Sequence, residues 1–340
     1  MADAGAFDPS MERMMSQEKL SADRARLYDK AIDPNVVQPR LLALAEQAAT
    51  SAFAVPQMID GLAKGLEEAA TLMRAVPIQE GRLLEQGIAL LASFNPDLRT
   101  LTENIRLPVT PAALQLVELN NEAHYRRLTL DADIGGRKGY TPDLLIVHQA
   151  KRLAYVVDIK RTLGSYEATR IADLKNRMLA SSLVVPDLLY KEHRRMTVDE
   201  VRAVIINADG QKVDIDHGVW PLSHVDHLLQ IDGAGLAIEW MRTQFASAVD
   251  RNWKAAVRQL ADSYTRKRDS AGDPSRAEAD FGLTAATLGR GEHDAFSTAV
   301  DTVKPGRSKD GPDAVVRDGE TSPSPLRVGF ARAPDLAIAG

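Results

Sequence analysis

Apolar positions recur along this chain with two different periods. From Gln38 to Met73 the spacing is helical: Leu41, Leu42, Leu44, Ala45 and Ala48, then Met58, Ile59, Leu62, Leu66 and Leu72, each set forming one stripe of a 3.6-residue period. This predicts helices over Gln38–Ala54 and Val55–Met73, in a small helical region whose stripe packs into a core or against a partner helix. Ser21–Ala31 is a further helical candidate in an otherwise polar start. Gln79–Ser93 is another amphipathic helix, stopped around Pro96-Asp97. Leu98–Val109 reads as a strand, and Thr110-Pro111 as a cap and first-turn proline opening a helix to about Glu122. Tyr125–Asp133 reads as another strand. The period then shortens. Two apolar runs, Leu144–Val147 and Leu153–Val157, flank the polar His148–Arg152, which is the pattern of a hairpin between buried strands. Helical spacing returns over Tyr166–Leu183. Val201–Asn207 is a strand closed by the turn signal Asp209-Gly210, and Leu222–Leu229 and Leu236–Tyr264 are helical.

From 79 to 210 the succession is α–β–β–β–α–β around one mixed sheet, an α/β class. The chain divides accordingly into an irregular N-terminus (1–35), a helical region (36–78), this core (79–210), C-terminal helices packed on it (211–265) and a tail (266–340). Charged, Gly, Ser and Pro residues dominate the tail, so it is expected to be disordered, with short binding elements near Phe281–Leu288 and Leu326–Ala339.

The hairpin carries charge at its ends. Asp143 precedes the first run, Asp158 follows the second, and Lys160 comes two residues later. In an antiparallel hairpin the start of one strand lies beside the end of the other. Asp143 is therefore expected near Asp158 and Lys160. Period-two alternation puts Asp158 and Lys160 on one face and Ile159 on the other.

Pro142-Asp143, fourteen intervening residues, and then Asp158-Ile159-Lys160, set in this order of elements, resemble the PD-(D/E)XK nuclease superfamily, which has the restriction-endonuclease-like fold. The resemblance covers roughly 79–210 and reaches no narrower family. It implies a metal-dependent nuclease hydrolysing phosphodiester bonds of nucleic acid, DNA in preference to RNA. It further implies that Asp143 and Asp158 hold Mg²⁺ (or Mn²⁺) with the Ile159 backbone carbonyl, while Lys160 positions the attacking water and stabilises the transition state. The superfamily adds an acidic residue from the helix before the sheet. Glu85 and Glu118 both answer that description, and the choice stays open. Arg161, Arg170, Lys175 and Arg177, with Arg137 and Lys138 in a glycine-flanked loop, are candidate phosphate contacts. The alternative is a catalytically inactive relative that binds nucleic acid or scaffolds protein partners.

Composition narrows the field further. There is no cysteine, which excludes disulfides and thiolate zinc sites. His217, His224 and His227 lie near Asp214 and Asp216 but follow no strong zinc spacing. Walker A, dinucleotide-fold glycine and serine-elbow signatures are missing. The net charge is −5, yet residues 121–200 carry 14 Lys or Arg against 11 Asp or Glu, so the motif region is locally basic. No apolar stretch approaches the length of a membrane span, and the first residues resemble neither a signal nor a transit peptide. A cytoplasmic protein without a membrane partner is expected. Its N-terminal helices or tail are where a second copy or another protein would dock.

Overall fold

The hairpin forms where its pattern predicts, and the sheet is built outward from it. The computed structural model describes residues 27–102, 105–132, 139–270 and 326–332. Two units are distinguished: one formed by residues up to 260 with 324–340, the other by 261–323. Of the second, the described residues are the final turns of a long helix.

In chain order the elements are α1 (Pro34–Ala52), α2 (Val55–Lys64), α3 (Leu66–Ala92), β1 (Leu98–Leu101), β2 (Leu107–Pro108), α4 (Pro111–Leu119), α5 (Glu122–Tyr125), β3 (Gly139–Tyr140), β4 (Leu144–His148) and β5 (Leu153–Lys160). There follow α6 (Ala168–Ser182), α7 (Val185–Glu192), β6 (Glu200–Asn207), β7 (Val219–Pro221), α8 (Val225–Leu229), α9 (Ala234–Ser270) and β8 (Arg327–Phe330). Among the described residues a six-stranded mixed sheet runs β1-β4-β5-β6-β7, with β8 also on β6. β1, β4 and β5 are antiparallel neighbours, and β6 lies parallel to β5. The predicted α–β–β–β–α–β succession is thus α3, β1, β4, β5, α6, β6.

Alternation along the strands sends side chains into two cores. Leu144, Ile146, Tyr155, Val157, Ile159, Val204 and Ile206 meet buried residues of α1, α3, α8 and α9. Leu145, Val147, Ala154, Val156, Ala203 and Ile205 meet α4, α6 and α7. Burial on both faces explains why the hairpin strands read as continuous apolar runs rather than alternating ones. Helix starts follow local chemistry. Asp33 Oδ1 accepts from Asn35 N (2.9 Å) before α1, and Thr110 Oγ1 accepts from Ala113 N (3.0 Å) before α4.

Several sequence expectations need correction. The helix expected over Val55–Met73 is broken at Gly65, and its second part continues into the one expected from Gln79: α3 runs through Pro77. An interior proline costs about 3 kcal/mol, and the fully buried Leu83, Leu84, Ile88 and Leu91 that follow outweigh it. The strand expected over Leu98–Val109 is two short ones, because β4 starts at Leu144 and offers β1 no longer ladder. Tyr125–Asp133 is not a strand where it is described. Its backbone is satisfied elsewhere: Leu130 N donates to Leu183 O, Ala132 N to Asp187 Oδ2, and Arg126 O accepts from Val328 N. Of Ser21–Ala31, residues 27–31 form bends and a bridge to Asp232 rather than a helix, with Leu27 N and Tyr28 N both donating to Asp232 Oδ2. The tail is not wholly outside the fold, since β8 comes from it. Residues 271–325 and 333–340 lie outside the described residues.

Candidate functional site

The site stands where β5 ends and β4 begins. The hairpin register pairs Leu144 with Val157, so one step further Asp143 lies beside Asp158. Asp143 N donates to Val157 O (3.0 Å), extending the ladder by one bond. The Asp143 carboxylate accepts from Ile159 N at 2.5 Å. A strand residue directs its N–H and C=O to the same edge, so the Ile159 carbonyl is also aimed at this side.

Asp158 is only 4% exposed. Its Oδ2 accepts from the Tyr140 hydroxyl at 2.7 Å. Its Oδ1 is in direct contact with the Lys160 ammonium as a buried ion pair. Tyr140 is buried and carried by β3, which pairs with β2 away from the main sheet. Its role was not legible in the sequence, because Tyr140 has no fixed spacing to Asp158 and only the fold brings the two together.

Charge accumulates here and moves the titrations. Burial, then the Asp158 charge, pushes Asp143 up to about 6, against the pull of Ile159 N–H and Lys160. Burial lowers the Lys160 ammonium, but Asp158 and Asp143 overcome this and hold it above its ordinary value. Burial, and then Asp158, raises the Tyr140 hydroxyl far above its ordinary range. Glu85 on α3 is raised to about 7, first by burial and then by Asp143, with Lys160 and Arg82 opposing and Asp158 adding. Glu85 therefore feels all three motif side chains, whereas Glu118 is exposed on α4. Glu85 and Asp143 also line one groove of about 650 Å³, with Leu44 and Leu90 among its walls and Arg40 at its rim.

The other candidates are placed as follows. Arg161 stands 3.9 Å from Glu80 and is exposed. Arg170 lies over the Tyr166 ring at 5.6 Å, and exposed Arg177 donates from Nε to Asp173 O at 3.3 Å. Lys175 is committed within the fold, 3.5 Å from Asp214 and over the Phe330 ring at 5.2 Å. Arg137 and Lys138 lie outside the described residues. His217 pairs with Asp214 at 2.8 Å, and His227 with the Tyr28 hydroxyl at 2.6 Å. Among the described residues no three His, Cys, Asp or Glu side chains form a complete metal cage. A cation at the hairpin end would be met by two carboxylates, a carbonyl and water. That all-oxygen set leaves room for water, as Mg²⁺ requires, and the buried Asp158 Oδ1, which already holds the Lys160 cation, suits it.

No protein-family model, curated protein or solved structure matches this chain. Among the described residues no helix is long and apolar enough to cross a membrane.

Proposed function

We propose that this chain is a metal-dependent nuclease of the PD-(D/E)XK kind, hydrolysing phosphodiester bonds of nucleic acid, DNA in preference to RNA. The observation that carries the reading is the meeting of Asp143, Asp158 and Lys160 at one strand end within electrostatic reach of Glu85. Asp143 and Glu85 are both raised, by burial first and by neighbouring carboxylate charge second. Perturbed acids clustered in a groove are candidates for a functional site.

Asp143 and Asp158 would hold the cation, with the Ile159 carbonyl as a third oxygen. When bound, Mg²⁺ or Mn²⁺ supplies charge that offsets the scissile phosphate and lowers the pKa of a coordinated water. The chain's own groups do the rest. The Ile159 N–H and the Tyr140 hydroxyl fix the two carboxylates. Lys160 keeps its proton and so donates to the attacking water or to a phosphate oxygen. Glu85 adds negative charge from α3, and its carboxyl exchanges a proton near neutrality. Arg161, Arg170 and Arg177 remain available to the phosphate backbone beyond the hairpin. One observation favours the second reading, an inactive relative that binds nucleic acid: no complete cage is gathered among the described residues.

The deciding assay uses supercoiled plasmid, single-stranded DNA and RNA, each with Mg²⁺, Mn²⁺ or EDTA, beside Asp158→Ala and Lys160→Ala. Metal-dependent cleavage lost in both variants is the expected result. Binding without cleavage supports the inactive relative, and neither activity removes both readings.

A further inference from the structure

Two buried side-chain oxygens among the described residues accept from no neutral donor: Oδ1 of Asp158, whose one partner is the Lys160 ammonium, and Oδ1 of Asn207. The first belongs to the site above. The second lies one strand away, in the same layer. β5 and β6 run parallel, with Lys160 opposite Asn207 and Asp158 opposite Ile205. Alternation places Asn207, Lys160 and Asp158 on one face, with neighbouring strands about 5 Å apart.

Asn207 is wholly buried, at 0% exposure, and its amide cannot turn over. Its Nδ2 donates to the Gln211 carbonyl, and the side chain also bonds the Asp209 carboxylate. Both partners only accept, so the NH₂ end must face them and Oδ1 must face away from that turn. The orphan oxygen is therefore a property of the fold, not of an amide drawn the wrong way round. A buried acceptor without a protein donor is a place where a donor from outside its own turn can be received.

We propose that Asn207 is a positioning residue that receives the Lys160 ammonium when a cation occupies Asp158. The inference rests on the nuclease reading above. Lys160 sits on Asp158 Oδ1, the oxygen that a cation needs. An arriving divalent ion repels the ammonium. Lys160 is mostly buried, with its side chain 25% exposed, so leaving for bulk water is unfavourable. The in-register acceptor one strand over is Asn207 Oδ1, and an ammonium on a flexible stem carries three donors. A carboxylate at 207 would hold the lysine permanently, and an apolar side chain would reject it. A neutral amide takes it only when it is displaced. Asn207 thus fixes where Lys160 stands during the reaction: off the carboxylate, yet still at the strand end that faces the phosphate.

The test is a double-mutant cycle on the full chain, using Asn207→Ala, Lys160→Met and the pair. Mn²⁺ binding is read by calorimetry, and plasmid cleavage as kcat and KM. Asn207→Ala is expected to weaken Mn²⁺ binding about tenfold, a common effect of losing a partner just outside a metal's ligands, and to lower kcat with little change in KM. In the Lys160→Met background the same change should leave Mn²⁺ affinity unaltered, because no ammonium competes for Asp158. Asn207→Ser retains an acceptor oxygen and should recover part of the loss; it also replaces Asn207→Ala should that variant not fold. An equal loss in both backgrounds makes Asn207 a clamp for the 209–211 turn and overturns the proposal, as does no loss in either. A wild-type chain that binds Mn²⁺ and cleaves, beside an Asn207→Ala variant that does both equally well, defeats this inference alone. A wild-type chain that does neither defeats the nuclease reading and, with it, this role.

Discussion

Replacing Asp143 by asparagine should stabilise the metal-free protein at neutral pH while abolishing its cleavage of nucleic acid. Burial and the neighbouring Asp158 raise the Asp143 carboxyl from 3.8 to about 6 in the folded chain. The unfolded chain titrates near its ordinary value of about 4. A carboxyl whose folded pKa is raised holds its proton more tightly when folded. Below about pH 4 both states are protonated and no penalty exists. The penalty grows as pH rises and is complete above about pH 6. Two units of pKa correspond to about 3 kcal/mol. Partial exposure of Asp143 makes that an upper limit, so about 1–3 kcal/mol is the working range. Asparagine keeps an oxygen for the Ile159 N–H and carries no charge. Whatever its amide costs to bury does not depend on pH and cancels in the comparison. Urea unfolding in EDTA between pH 4 and 8, plotted as variant minus wild type, should rise by that amount and then level off. A difference that stays flat across the range would refute the claim that these carboxylates repel one another in the folded chain.

Other outcomes follow from the same geometry. Mn²⁺ affinity, followed by calorimetry, should climb between about pH 6 and 7, where Asp143 and Glu85 lose their protons, because each proton must leave before the carboxylate faces a cation. Glu85→Gln should flatten the upper part of that climb and slow cleavage about a hundredfold or more, whereas Glu118→Gln on the exposed face of α4 should match the wild type. Tyr140→Phe removes the donor to buried Asp158; denaturation should show a loss of about 1–3 kcal/mol, with kcat reduced and secondary structure intact. Gly218 has φ +75°, and a Cβ there would come within 2.9 Å of the Ala203 carbonyl. Gly218→Ala should therefore cost about 1–3 kcal/mol, read as a lowered urea midpoint.

The parts of this molecule legible in its sequence are those whose burial is local. Leu144–Val147 and Leu153–Val157 are apolar throughout because helices cover both faces of the sheet, and that same hairpin set Asp143 beside Asp158. The helices expected to end at Met73 and begin at Gln79 run together through Pro77, because the burial of Leu83 through Leu91 that outweighs the proline is tertiary. Tyr125, Leu128 and Thr129 have strand character, yet the segment's hydrogen bonds come from the α6–α7 junction and from β8. Glu85 and Glu118 could not be separated beforehand. Both sit on helices that precede strands, and only the packing of α3 and α4 on opposite sides of the sheet distinguishes them. Tyr140 and Asn207 carry no spacing signal at all, since each acts across strands whose pairing is not local.

β8 has a consequence for how the chain is made. Glu200–Ala203 of β6 take their outer neighbour from Arg327–Phe330, residues that a ribosome adds more than one hundred positions later. Until they emerge, that half of β6 presents bare N–H and C=O groups beside a buried apolar layer, an edge open to any extended chain nearby. Val328 and Ala331 then fill the two cores from the same short segment. The nascent protein can assemble its hairpin and proposed catalytic end early, but it completes this edge of the sheet only after residues 327–330 have been made, and products that stop short of them carry the adhesive edge.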